Sequence, residues 1–166
     1  PSPEWQIGSI SRNSSGYLEK SPDTLKRNIS TYINEFRVVS DSFDILDAKI
    51  VNIGFTYNVV IDDKEDKAGV ITRINNSLIE YLATTNMHID GGIRVADLVN
   101  LIINQDGVIS LDSYKFTSLS GTIDDREYSS IAISPKRSIV RGVLNPPLGG
   151  IFEVKYPDVD IVGNSI

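Results

Sequence analysis

The chain has 166 residues, 40% of them hydrophobic, enough to bury the core of one domain or of a core with a small appendage. It has no cysteine, which excludes thiol catalysis, cysteine-ligated zinc and disulfide stapling, and suits a protein assembled in a reducing cytosol. A net charge of −6, with the acidic residues dispersed, argues against a general nucleic-acid binder, which needs phosphate-neutralising Lys and Arg.

No apolar run approaches the length of a membrane span, and no signal-peptide pattern opens the chain. The chain begins Pro1-Ser2-Pro3 without Met and reads as a piece of a longer protein or a processed product. Residues 1–20 are rich in Ser, Pro and Gly and predict an irregular lead-in or linker, with Trp5 and Ile7 able to dock. Ser21-Pro22-Asp23 is a helix start: Ser21 can cap, Pro22 suits the first helical position and Asp23 favours the positive dipole end. Leu25, Ile29, Ile33 and Phe36 follow at helical spacing, so the helix buries one face and runs to about Arg37. Residues 38–48, with Val39, Phe43 and Ile45 among Asp41, Asp44 and Asp47, predict an extended approach to the next element.

That element is Lys49–Ile61, the clearest signal in the chain. Val51, Ile53, Phe55, Tyr57, Val59 and Ile61 fall on alternate positions, so one face of a strand is apolar. The other face carries Asn52, Gly54, Thr56 and Asn58, and is predicted to lie against solvent or a neighbouring subunit. Asp62-Asp63-Lys64-Glu65-Asp66 ends the strand as a polar turn. Val70, Ile71, Ile74, Leu78, Tyr81 and Leu82 then form the stripe of a covering helix. Gly69 weakens that helix by about 1 kcal/mol, and close approach to the strand is its expected reason. Asn86–Asp90 predicts a short strand, 93–103 a helix through Val95, Leu98, Val99 and Ile102, and Val108–Leu111 a strand continuing through Tyr114 and Phe116.

After Gly121 the composition changes to a polar loop and short β-like runs at 130–134, 138–143 and 151–156. Pro135-Lys136-Arg137 is expected to turn the first two into a hairpin, and Pro135 and Pro157 to mark strand ends. The expected fold is α+β: a small mixed sheet with a βαβαβ core covered by two helices on one face, an N-terminal helix and a β-rich C-terminal appendage. The divisions are 1–20 lead-in, 21–121 core domain and 122–166 appendage.

Candidate chemistry is sparse. The acidic cluster Asp62–Asp66 lacks the alternating ligands, sharp glycine turn and closing Glu of a calcium loop, so it reads as a solvated turn and helix start. His88 is the only histidine, and neither a Cys nor a G-x-S-x-G elbow exists to pair with it. Gly91-Gly92 and Gly149-Gly150 fit neither the dinucleotide nor the P-loop fingerprint and read as turns. Three Asn-x-Ser triplets read as chance. Lys136, Arg137 and Arg141 form the densest basic group, too few for a nucleic-acid footprint and suited on a hairpin to an acidic partner surface. The sequence therefore predicts no catalytic, cofactor or metal site.

The succession DAKIVNIGFTYNVVIDD, IEYL, NMHIDGGIRVADLVNLI, DGVISL and IFEVKYPDVDIVG resembles the baseplate J-like family of contractile-tail phages, at the C-terminal region of its T4-type wedge subunit. The likeness covers residues 21–166 and is strongest at 47–111. The resemblance implies a structural, non-enzymatic role in the inner baseplate ring of the virion, assembled in the host cytoplasm. It further implies self-association as a homodimer or ring and binding to other wedge proteins, with no nucleic acid, membrane or small-molecule substrate, and an N-terminal part beyond this chain. The alternative expectation is a small ligand-binding or enzymatic α+β domain using the Gly91-Gly92 turn and the Asp62–Asp66 turn in a concave pocket.

Overall fold

The computed structural model describes residues 4–36 and 42–166. Along the chain lie β1 (Glu4–Ser9), β2 (Ser11–Arg12), β3 (Leu18–Glu19), α1 (Asp23–Phe36), β4 (Ser42–Asp47), β5 (Lys49–Ile61), α2 (Lys67–Tyr81), β6 (Ile93–Arg94), α3 (Val95–Ile103) and β7 (Val108–Leu119). The remainder is β8 (Thr122–Ile123), β9 (Arg126–Glu127), the single turn α4 (Pro135–Ser138), β10 (Ile139–Val140), β11 (Val143–Leu144), β12 (Gly150–Glu153), the single turn α5 (Pro157–Asp160) and β13 (Ile161–Ser165). The fold is mixed α+β, with several short sheets and helices packed on sheet faces. Among the described residues no helix is long and apolar enough to cross a membrane.

β5 is the central strand. Antiparallel β7 pairs with one edge, from Asn52↔Leu119 to Ile61↔Val108, and parallel β12 and β13 divide the other edge between them. The alternation along β5 decides its faces. Val51, Ile53, Phe55, Tyr57, Val59 and Ile61 are all buried, against Val70, Ile74, Leu78 and Leu82 of the α2 side and Leu98 and Ile102 of α3. Ile71 and Tyr81 lie half-buried at the margin.

Several expectations change. Asn86–Asp90 is not a strand. The Asn86 amide donates to the carbonyls of Glu80 and Tyr81 at the end of α2, residues 84–86 form a 3₁₀ turn, and Asp90 takes a left-handed φ of 60°. With no strand of the central sheet between them, α2 and α3 cross the sheet face in succession. The chain then re-enters at the far end of β5, so β7 runs antiparallel and the βαβαβ arrangement is not formed. The parallel partners of β5 come instead from the segment read as an appendage, which buries Ile151, Phe152 and Val154. The lead-in is not irregular: β1 pairs in parallel with β4, and β2 with β3. Ile7 is half-buried, whereas the side chain of Trp5, and Arg37 and Val39, lie outside the described residues. The tight contact at Gly69 is with Asp66, whose Oδ2 would stand 2.7 Å from an added Cβ, and not with the strand.

A large residue faces a small one where β13 meets β5. Gly163 is the register partner of Tyr57, and a Cβ there would overlap the buried tyrosine ring. Gly163→Ala is therefore expected to cost roughly 1–3 kcal/mol, the usual range for overpacking a filled site. Chemical denaturation would show this as a lower midpoint with an unchanged slope.

Candidate functional site

The second face of β5 is only partly open. Asn52, expected at a free face, is buried: its Nδ2 donates to Glu153 Oε2 at 2.8 Å and its Oδ1 accepts from Ser129 N at 2.6 Å. Glu153 is also buried, and its Oε1 accepts from Leu18 N at 2.6 Å. One carboxylate thus ties the N-terminal segment to the central sheet. Gly54 lies under the Asp160 carbonyl, where a Cβ would stand 3.0 Å away. Thr56 and Asn58 are half-buried, and Thr56 borders a cleft of about 160 Å³ that also takes in Thr117, Arg126 and Val162.

Beside that cleft, Tyr128 Oη donates to Asp160 Oδ1 at 2.7 Å and Tyr156 N donates to Oδ2 at 2.9 Å. Burial pushes the Asp160 carboxyl up, against the pull of those two hydrogen bonds. Burial also raises the Tyr128 hydroxyl, helped by the carboxylate it faces. Tyr156 stands edge-on to both Tyr17 and Tyr128, and Lys155 Nζ lies 5.5 Å from the Tyr17 ring while donating to Glu127 O. Tyr128, Tyr156 and Lys155 each find a hydrogen-bond partner within this cluster, so it reads as a clamp between the N- and C-terminal segments.

Two further tyrosines bear on stability at high pH. Burial raises the Tyr57 hydroxyl, which donates to Asn75 Oδ1 at 2.7 Å, and raises Tyr81 to about 12, with the hydrogen bond to Asp97 adding to it. A folded-state value above the unfolded value of about 10 contributes stability that is complete below pH ~10 and is lost as pH rises through the folded value. Unfolding free energy is thus expected to fall between pH 10 and 12, and less steeply in Tyr57→Phe; parallel slopes for the two proteins in urea titrations at pH 9 and 11 would refute this.

The candidate residues of the sequence are placed as follows. Asp62–Asp66 is the turn before α2: Lys64 N donates to Asp62 Oδ1, and Lys67 pairs with exposed Asp63 at 3.5 Å. Among the described residues no group of three His, Asp or Glu side chains is placed to hold a metal. His88 is exposed in the loop after α2. The second glycine pair meets the residue before the first: Asp90 N donates to Gly150 O, and Gly149 N donates to Asp90 Oδ1 at 2.6 Å. Gly92 lies against Val143, where a Cβ would stand 2.5 Å from Cγ1, so the space beside it is filled by protein.

Lys136 and Arg137 sit on α4, not on a hairpin turn. The hairpin is β10–β11, turned by Arg141-Gly142 with φ of 51° and 77°, the left-handed pair that a tight two-residue turn requires. All three basic residues are exposed, and among the described residues none forms an ion pair. β11 also pairs with β6, which brings in exposed Arg94, a residue that sequence distance hid.

The other surface feature is α1. Its stripe does not bury a face as expected; none of its residues is fully buried. Lys26, Ile29, Ser30 and Ile33 are half-covered, and Lys26 reaches Asp47 at 2.7 Å. Leu25, Tyr32 and Phe36 form an outward ridge, with Tyr32 and Phe36 65% and 70% exposed and their rings 4.9 Å apart. Compared with known proteins, the chain matches no family model and no curated protein sequence.

Proposed function

We propose that the chain is a structural, non-enzymatic module of a contractile-tail baseplate wedge that associates with its own copies and with other wedge proteins. The observation that carries the assembly part is α1, whose ridge of Leu25, Tyr32 and Phe36 faces water beside a sheet that has two strands among the described residues. A 14-residue helix and a two-stranded sheet are each marginal alone in water. Cover from another chain stabilises both. The baseplate part rests on the resemblance carried by residues 47–111 and 151–163, and places the protein in the virion after assembly in the host cytoplasm.

Sedimentation equilibrium of the chain alone, and mixed with the wedge proteins, tests the reading. Dimers or larger species are expected alone, and co-migration in the mixture. Tyr32→Glu with Phe36→Glu is expected to weaken self-association while circular dichroism shows the central sheet and its helices still folded. A chain that stays strictly monomeric and ignores every wedge protein would defeat the proposal.

A further inference from the structure

The small sheet β10–β11–β6 has two distinct faces. Ile139, Leu144 and Ile93 are in register across its three strands and pack on the main core. Val140, Val143 and Arg94 form the alternate row and so project outward. Val140 is 55% exposed, Val143 on the middle strand is half-buried, and Arg94 beyond it is exposed. Arg141 stands at the tip of the hairpin, where Val95 N donates to Gly142 O and holds the tip against the start of α3. Lys136 and Arg137 sit on α4, which leads directly into β10 and is closed by the bonds of Arg137 N and Ser138 N to Ser134 O. Directly opposed cross-strand positions lie about 5 Å apart and diagonal ones about 7–8 Å, so Arg94 and Arg141 flank the two valines at short range.

Among the described residues none of these four cations forms an ion pair with an acidic group of the adjoining elements. Asp97 accepts from Tyr81 Oη at 2.9 Å, and Asp90 accepts from Gly149 N. A protein of net charge −6 thus carries Arg94 and Arg141 on one small sheet, whose backbone two strand pairings and a tight turn hold in place, and Lys136 and Arg137 on the turn that leads into it.

We infer that the outer face of β10–β11–β6 is a docking surface for an acidic stretch of a partner protein, with an apolar side chain seated on Val140 and Val143 and carboxylates reaching the surrounding cations. The chemistry favours protein over nucleic acid. Four cations neutralise too few phosphates for stable binding, the net charge repels a polyanion at long range, and valine side chains offer a phosphate nothing. Depletion of charge at the centre with charge at the rim is the anatomy of a protein–protein contact. The inference goes beyond the assembly reading, since it names a surface and a partner chemistry and does not require self-association.

Fluorescence anisotropy with a labelled peptide of repeated Glu-Glu-Leu, and with an oligo-dT of equal charge, tests it. The peptide is expected to bind and to weaken with salt. Lys136→Glu/Arg137→Glu, and separately Arg94→Glu, are expected each to weaken it by roughly tenfold or more, the scale of losing opposed charges and gaining like ones. Lys64→Glu, in the turn after β5, changes the net charge as much as Arg94→Glu does and should leave binding intact. All of these positions are exposed, and equal thermal midpoints confirm that folding is unaffected. The inference is overturned by absent peptide binding, by binding that both variants retain, by equal loss in Lys64→Glu, or by tighter binding of oligo-dT. Sedimentation of the same samples reads self-association separately, so failure of this surface is distinguishable from failure of the assembly proposal.

Discussion

Phe55→Asp is expected to leave the protein unfolded at neutral pH. The phenyl ring is 1% exposed, and its centroid lies 4.9 Å from that of Phe116 and 6.1 Å from that of Tyr57. Truncating a buried phenylalanine costs roughly 3–5 kcal/mol before any charge is considered. A carboxylate at this point has no cation within the apolar cluster, so its ionised form adds several kcal/mol more. Typical domains hold only about 5–15 kcal/mol in total. Thr56→Asp, one residue on, turns its side chain to the half-open face and is expected to change stability by less than about 1 kcal/mol. Circular dichroism and a urea titration of the two variants decide the matter; a folded Phe55→Asp, or an unfolded Thr56→Asp, would mean that the faces of β5 are assigned backwards.

The second large effect is expected at Glu153. Glu153→Ala removes the acceptor for Leu18 N and the short acceptor for Asn52 Nδ2, leaving the first without a partner and the second with only its 3.5 Å bond to the backbone carbonyl of Glu153. Each such loss costs roughly 1–3 kcal/mol. Relief from burying the carboxylate offsets part of this, so a net loss of about 2–4 kcal/mol is expected. Glu153→Gln should not rescue it. Its new amide would face Asn52 Nδ2 as donor against donor, and Asn52 cannot turn over because its Oδ1 is held by Ser129 N at 2.6 Å. The loss should also be directional. Leu18 packs with Ala48 and Ile151 in a second small cluster, so releasing Leu18 N loosens the segment before β5. Limited proteolysis is expected to cut residues 4–47 sooner in Glu153→Ala than in the parent, with the core fragment surviving. Uniform cleavage across the chain would show that the carboxylate does not pin this segment.

The two cases separate what local pattern carries from what it cannot. Phe55 was legible because a period of two needs only neighbouring residues. The same logic found α2, α3 and β7, whose stripes are periodic within single elements. Glu153 was not legible. Its partners Leu18 and Asn52 stand 135 and 101 residues away, and a lone Glu in a β-like run reads as a solvent-facing residue. Arg94 was missed for the same reason, since only the β6–β11 pairing places it beside the basic residues that sequence proximity had grouped. The stripe of α1 was read correctly as a pattern and wrongly as a buried face, because periodicity states what a helix offers and not what covers it.

The sequence by itself determined the central strand, the face it buries and the two helices that cover that face, through hydrophobic alternation at periods of 2 and 3.6 that each element contains in full. Only the tertiary structure decided that β7 returns antiparallel, that the C-terminal segment supplies the parallel strands of the central sheet, and that Asp90 meets Gly149 and Gly150 in one turn contact. Those outcomes depend on backbone hydrogen bonds between segments far apart in the chain. Every backbone offers the same donors and acceptors, so their partners are selected by which packed arrangement satisfies all of them at once.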